Sequence, residues 1–99
     1  MRSGQVIYAE GRDLVVLAPV NPGAQLIADG HIHVYAPLRG RAVAGAHGCL
    51  EARIFCQRLE AELVGIDAAY VTYDDVPADR FGKPAQVLLR DGRCVIAPL

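Results

Sequence analysis

The sequence predicts a mainly β fold, a short parallel β-helix with coils of about 18 residues and a small C-terminal closing segment. Three observations carry this. Val, Ile and Leu fall in brief runs broken by glycine and proline, the pattern of many short strands and few helices. The first half of the chain repeats itself. Within each repeat the even positions are the apolar ones, so one side of every strand faces inward.

The repeat sets the elements in order. Gly4-Gln5-Val6-Ile7-Tyr8-Ala9-Glu10-Gly11 matches Gly23-Ala24-Gln25-Leu26-Ile27-Ala28-Asp29-Gly30 at an offset of 19, and Asp13 to Val20 matches His31 to Leu38 at 18. Ala28-Asp29-Gly30 then matches Ala46-His47-Gly48, again at 18. Stacking on this period places Leu14 with Ile32 and Leu50, Val16 with Val34 and Ala52, and Ala18 with Ala36 and Ile54. The other strand gives Ile7, Leu26 and Ala44, then Ala9, Ala28 and Ala46. Recurrent alanine implies a narrow interior, where two walls converge and leave room for little beyond a methyl group. From Glu51 to Val64 two patterns compete. Ala52, Phe55, Cys56, Leu59 and Leu63 form a helical stripe, whereas Leu59, Ala61 and Leu63 alternate with charged residues, and strands are expected. Strand signals resume in Ala69 to Tyr73, Ala85 to Leu89 and Arg93 to Ala97, with Asp91-Gly92 as a hairpin turn. Between them Val76 to Gly82 reads as a helical turn, Pro77 early and Gly82 as its stop, which closes one end of the solenoid.

With 99 residues there is room for a single domain, and 53 % hydrophobic content supplies the core that so small a unit needs. Acidic and basic residues nearly cancel, 11 against 10, so no strong field draws the chain to nucleic acid or an anionic membrane. Cys49, Cys56 and Cys94 lack paired spacing, and the sequence has neither a secretory leader nor an apolar run near 18 residues. Unbridged thiols in a cytoplasmic protein are expected.

Asp13, His31, His33, His47 and Cys49 form the cluster that invites an enzyme or metal reading, because the period stacks Asp13, His31 and Cys49 in one outward column. Imidazole and thiolate suit zinc. Outward columns of a solenoid are solvated, however, and account for polar residues without an ion, so no metal and no cofactor are expected. Covalent catalysis by Cys49 or Cys56 with His47 as base lacks an identifiable oxyanion site or substrate pocket, and no catalytic residue is assigned. A hexapeptide rhythm like that of left-handed β-helix acyltransferases is not sustained.

Solvation does not account for the apolar outward positions: Val15, Leu17 and Tyr35 on one wall, Val6, Tyr8, Ile27 and Val43 on the other. Stacked, they make contiguous patches of the kind that mark protein interfaces. A binding module is therefore favoured over an enzyme, and Val15, Leu17 and Tyr35 are the candidates for a homodimer interface.

Arg2-Ser3-Gly4-Gln5-Val6-Ile7-Tyr8, Leu26 to Tyr35, Leu38-Arg39-Gly40-Arg41-Ala42 with Ala44-Gly45, Glu51 to Cys56 and Glu62 to Ile66 together resemble the C-terminal domain of the bacterial septum site-determining protein MinC. The likeness spans essentially the whole chain. It implies a right-handed β-helix that forms a homodimer, binds the membrane-associated ATPase MinD and, in that complex, FtsZ, without catalysis. It implies contact with the membrane only through MinD. Arg2, Ser3, Gly4 and Gln5 match the family's MinD-contacting segment. Arg39, Gly40 and Arg41 form a second basic corner, open to reading as a salt-bridged turn or as partner surface. The family's separate N-terminal domain has no counterpart here, so the chain is expected to be a piece of a longer protein. The alternative is a structural oligomerisation or metal-binding β-solenoid unrelated to division.

Overall fold

Successive short strands alternate between two stacks in the computed structural model, which describes residues 2–99. The first sheet stacks β1 (Val6–Ala9), β3 (Gln25–Ala28), β5 (Arg41–Ala44) and β7 (Leu63–Ile66) in parallel, and β8 (Ala69–Thr72) turns back antiparallel on β7. The second stacks β2 (Leu14–Val16), β4 (Ile32–Leu38) and β6 (Ile54–Leu59) in parallel, followed by antiparallel β9 (Ala85–Arg90) and β10 (Arg93–Ala97). Each pass of the chain adds one strand to each sheet, which is the β-solenoid that the alternation predicts. Glu51 to Val64 is strand and connecting turn, holding β6 and the start of β7.

Alternation fixes what lies inside. From the first sheet Leu26, Ala28, Ala42, Ala44, Val64 and Ile66 are buried, and from the second Ile32, Val34, Ile54, Cys56, Ala85 and Val87. Alanine is abundant in this core, as the narrow cross-section requires. β4 bends between Val34 and Pro37, where its register with β6 shifts. Past the bend Leu38 pairs with Val20 on one side and Leu59 on the other, a short third ladder of fully buried side chains.

The third coil departs from the expected register. Leu14 does stack on Ile32, and Ile7 on Leu26, but Ile32 continues to Ile54 rather than Leu50, Val34 to Cys56 rather than Ala52, and Leu26 to Ala42 rather than Ala44. Leu50 is 58 % exposed, Ala18 is exposed and Ala46 only half-buried. The coils are unequal in length. Gln25 to Arg41 is a short pass of 16 residues, and the next, from Arg41 to Leu63, takes 22. The extra length lies in the turn-rich stretch between β5 and β6, which begins at Gly45. A Cβ on Gly45 would run into the Cys49 carbonyl, and its φ of +61° is one that glycine adopts without strain.

The closing segment forms at one end. Phe81 N–H donates to the Pro77 carbonyl (3.0 Å), making a single helical turn, and Gly82 ends it at φ +75°. Gly82 N–H then donates to the Leu59 carbonyl (2.7 Å) and Leu59 N–H to the Lys83 carbonyl (3.1 Å), tying the segment to the third coil. Tyr73 meets Phe81 edge to face, ring centroids 5.2 Å apart.

Candidate partner-binding site

The Arg2-to-Gln5 segment leads into β1, an edge strand, and it folds into a turn of its own. Gln5 N–H donates to the Arg2 carbonyl (3.1 Å), and the Gln5 side-chain oxygen reaches back to accept from Arg2 N–H (2.6 Å). The second coil holds the turn in place, through Gly4 N–H to the Gly23 carbonyl (3.1 Å) and Gln25 N–H to the Gln5 carbonyl (2.9 Å). Gly4, at φ +84°, has nothing within 4 Å of where a Cβ would stand, so its outer side is open to an approaching backbone. Arg2, Ser3, Gly4 and Gln5 are all exposed. No ion pair forms on the Arg2 guanidinium among the described residues.

Sequence reasoning missed the floor of this turn. Gly23 lies directly beneath Ser3, so closely that a Cβ there would collide with the Ser3 hydroxyl. Gly23 N–H donates to the Glu62 carboxylate (2.7 Å), which brings a third-coil side chain under the first-coil turn. The equivalence of Gly4 and Gly23 in the repeat was the available signal.

At the second basic corner both readings of the sequence find a part. Arg39 Nε donates to Glu60 Oε1 (2.9 Å), and Arg58 reaches Glu60 Oε2 (3.2 Å), so Arg39 belongs to a salt-bridged group. Gly40 is buried, because a side chain there would strike the Ala24 and Asn21 carbonyls of the preceding turn. Arg41 is exposed.

The wall of the second sheet carries Val15, Leu17 and Tyr35, exposed by 56 %, 77 % and 51 %. The column through Val15 continues to His33 and Phe55. The His33 ring stacks on Phe55 (centroids 4.9 Å) and on Tyr35 (6.2 Å). On the first sheet's wall Tyr8, Ile27, Val43, Gly65 and Tyr70 form one row across five strands.

The column suggestive of a metal site is not assembled. Arg53 follows His31, as the pairing of His33 with Phe55 requires, while Cys49 lies in the added turn. His31 Nδ1 accepts from Arg53 N–H (2.9 Å), and Asp13 Oδ1 accepts from His31 N–H (2.7 Å). Among the described residues no three His, Cys, Asp or Glu side chains gather around a point. His47 instead meets Asp29 (3.4 Å), the residue it matches in the repeat, alongside the Tyr8 hydroxyl, which donates to Asp29 (2.8 Å). Gly11 N–H (2.6 Å) is the main cause that lowers the Asp29 carboxyl from its usual range, helped by Tyr8 and His47. The same hydrogen bond to Asp29 pushes the Tyr8 phenol up to about 12. Burial pushes the Cys56 thiol up to about 12 and Cys94 to about 11, so neither is a ready thiolate. A cleft of about 440 Å³ between the added turn and the two hairpin ends is lined by Leu50, Ile66, Ala68, Ala69 and Leu89, with Asp67 its one titratable group.

A short β-solenoid with two apolar walls and an exposed, pre-folded polar turn at one end is an arrangement suited to holding a protein partner. Comparison with known proteins gives its family. The whole chain, residues 1–99, matches the family described as septum formation inhibitor MinC, C-terminal domain, and the chain belongs to that family. Among relatives, the probable septum site-determining protein MinC of Pseudomonas savastanoi pv. phaseolicola is 58 % identical over 90 residues, which is 90 % of this chain and 37 % of that protein. Its namesake in Chromobacterium violaceum is 56 % identical over 100 residues, covering all of this chain and 42 % of the other. The chain thus spans about two fifths of the length of these relatives. A solved structure titled the MinC:MinD cell division protein complex of Aquifex aeolicus superposes with a TM-score of 0.86 at 31 % identity, covering 99 % of this chain and 79 % of the other.

Proposed function

We propose that this chain is the self-associating, partner-binding module of a cytoplasmic division inhibitor. It binds MinD through Arg2, Ser3, Gly4 and Gln5 and pairs with a second copy through Val15, Leu17 and Tyr35. In the MinD-bound state it engages FtsZ and so prevents septum assembly at wrong sites without catalysis of its own, and the Arg39-to-Arg41 corner, where Arg41 is exposed, is a further candidate partner surface. The observation that carries the reading is the Arg2-to-Gln5 turn, folded before any partner arrives and presented outward with a guanidinium that forms no ion pair among the described residues. A pre-ordered turn loses little entropy on binding. Arg2 offers a planar fork to a carboxylate.

Co-sedimentation with ATP-loaded MinD on lipid vesicles tests it. The wild-type domain should pellet with MinD, and Arg2→Ala should lose about 2–5 kcal/mol of binding, a factor of tens to thousands. The same substitution should leave the unfolding midpoint within about 0.5 kcal/mol of wild type, because the side chain is exposed. Wild-type affinity in a folded Arg2→Ala domain would remove the turn from the interface. For the second copy, Leu17→Glu sets an unpaired carboxylate in a closed contact and should yield monomer in sedimentation at micromolar concentration.

A further inference from the structure

At the centre of the second-sheet wall stands a histidine that neither the core nor the Arg2-to-Gln5 turn uses. His33 pairs with Val15 of β2 and Phe55 of β6, and its half-buried ring is stacked between Phe55 and Tyr35. Neither of its ring nitrogens has a hydrogen-bond partner among the described residues. We propose that pairing of two copies through this wall is gated by protonation of His33, the neutral ring being compatible with the closed contact and the imidazolium not. This rests on the reading that the wall of Val15, Leu17 and Tyr35 meets a second copy.

The surroundings supply no compensating charge. On β4 itself the neighbours are Tyr35 and His31, whose Nδ1 accepts from Arg53 N–H (2.9 Å). Towards β2 the facing residue is Val15, with Asp13 beyond it turned to the His31 backbone. Towards β6 it is Phe55, flanked by Gln57 and by Arg53, whose guanidinium donates to Gln86 Oε1 (2.9 Å) on β9. Among the described residues no carboxylate therefore answers an imidazolium at this point, and a cation with water on its outer side would be stripped of that water when the wall closes. A two-fold pairing also brings the partner's own copy of the charge to the same contact. Imidazole is the side chain whose ordinary protonation range spans near-neutral pH.

Sedimentation equilibrium on the domain at about pH 7.5 and about pH 6.0 tests this, with circular dichroism confirming the fold at both. The dimer dissociation constant should rise about tenfold at the lower pH, as expected when two imidazoles must shed protons on pairing. His33→Phe, neutral and aromatic, should dimerise with no such dependence, and His33→Gln serves the same comparison if the larger ring disturbs the wall. A wild-type dimer indifferent to pH, or one whose pH response survives in the folded variant, overturns the gating while leaving the interface reading in place. A wild-type domain monomeric at both pH values, or a dimer that persists in Leu17→Glu, overturns the interface reading and the gating with it.

Discussion

The position above Ile32 can be filled by Ile54 in one register of the third coil or by Leu50 in another, and truncating each in turn separates the two registers. Ile54 is fully buried and pairs with Ile32, which in turn pairs with Leu14, whereas Leu50 is 58 % exposed. Ile54→Ala removes three carbons from the ladder, worth about 2.4 kcal/mol at about 0.8 kcal/mol per methylene. A cavity that the stacked coils cannot collapse raises the total to about 2–5 kcal/mol. Ile32→Ala should cost the same. Leu50→Ala should stay within about 0.5 kcal/mol, since its side chain is largely in water already. Urea unfolding followed by circular dichroism reads the difference, all variants at one protein concentration because self-association shifts apparent stability. With a slope of about 1 kcal/mol/M, the Ile54→Ala midpoint should fall by about 2 M or more. Equal losses from Leu50→Ala and Ile54→Ala would refute the register of the third coil and the account of its added turn.

Acid should act on the first coil through Asp29. Its carboxyl is held below the usual range by Gly11 N–H, then by the Tyr8 hydroxyl and His47, so it stabilises the fold above the unfolded carboxyl value of about 4 and ceases to do so as pH falls through the lowered folded value. Melting temperatures measured across that window should fall more steeply for wild type than for Asp29→Asn; parallel curves would mean that the contact is energetically silent. Thiol labelling should distinguish the cysteines. Exposed Cys49 should react rapidly with a disulfide reagent, while Cys56, pushed up to about 12, and Cys94, to about 11, should lag until the chain unfolds. Fast labelling of Cys56 in the folded domain would contradict its place in the core.

The first two coils were legible because their strands obey the alternation rule and the spacing from Leu14 to Ile32 is a clean 18. The C-terminal strands were legible for a different reason, since Asp91-Gly92 at φ +54° and +75° is a turn that short-range chemistry dictates. The third coil was not, because a repeat read from two copies carries no information about an insertion in the next. Ala46-His47-Gly48 imitates Ala28-Asp29-Gly30 closely enough to extend the period, yet these residues lie in the added turn and His47 reaches back to Asp29. Sequence identity between coils marked a contact there rather than an equivalent strand. The same slip displaced Cys49 from the His31 column and put Arg53 beside His31, which undid the metal arrangement.

The two ends of the solenoid differ in a way that bears on where a partner can attach. At the C-terminal end β8 and β9 run antiparallel to the coils, β10 turns back on β9, and the Pro77-to-Gly82 turn ties down the third coil, so the parallel stack stops there. At the other end β1 and β2 are both sheet edges, and Ile7, which pairs with the fully buried Leu26, is 39 % exposed. Open edges invite indiscriminate strand pairing unless something polar or charged discourages it. The segment leading into β1 is the turn of Arg2 to Gln5, hydrogen-bonded to itself and to the second coil, with a charged side chain outward. A turn in that place sets a charged segment, hydrogen-bonded to itself, beside the edge of β1. Stability makes little demand on the exposed Arg2 side chain, which leaves it free for the recognition role proposed above.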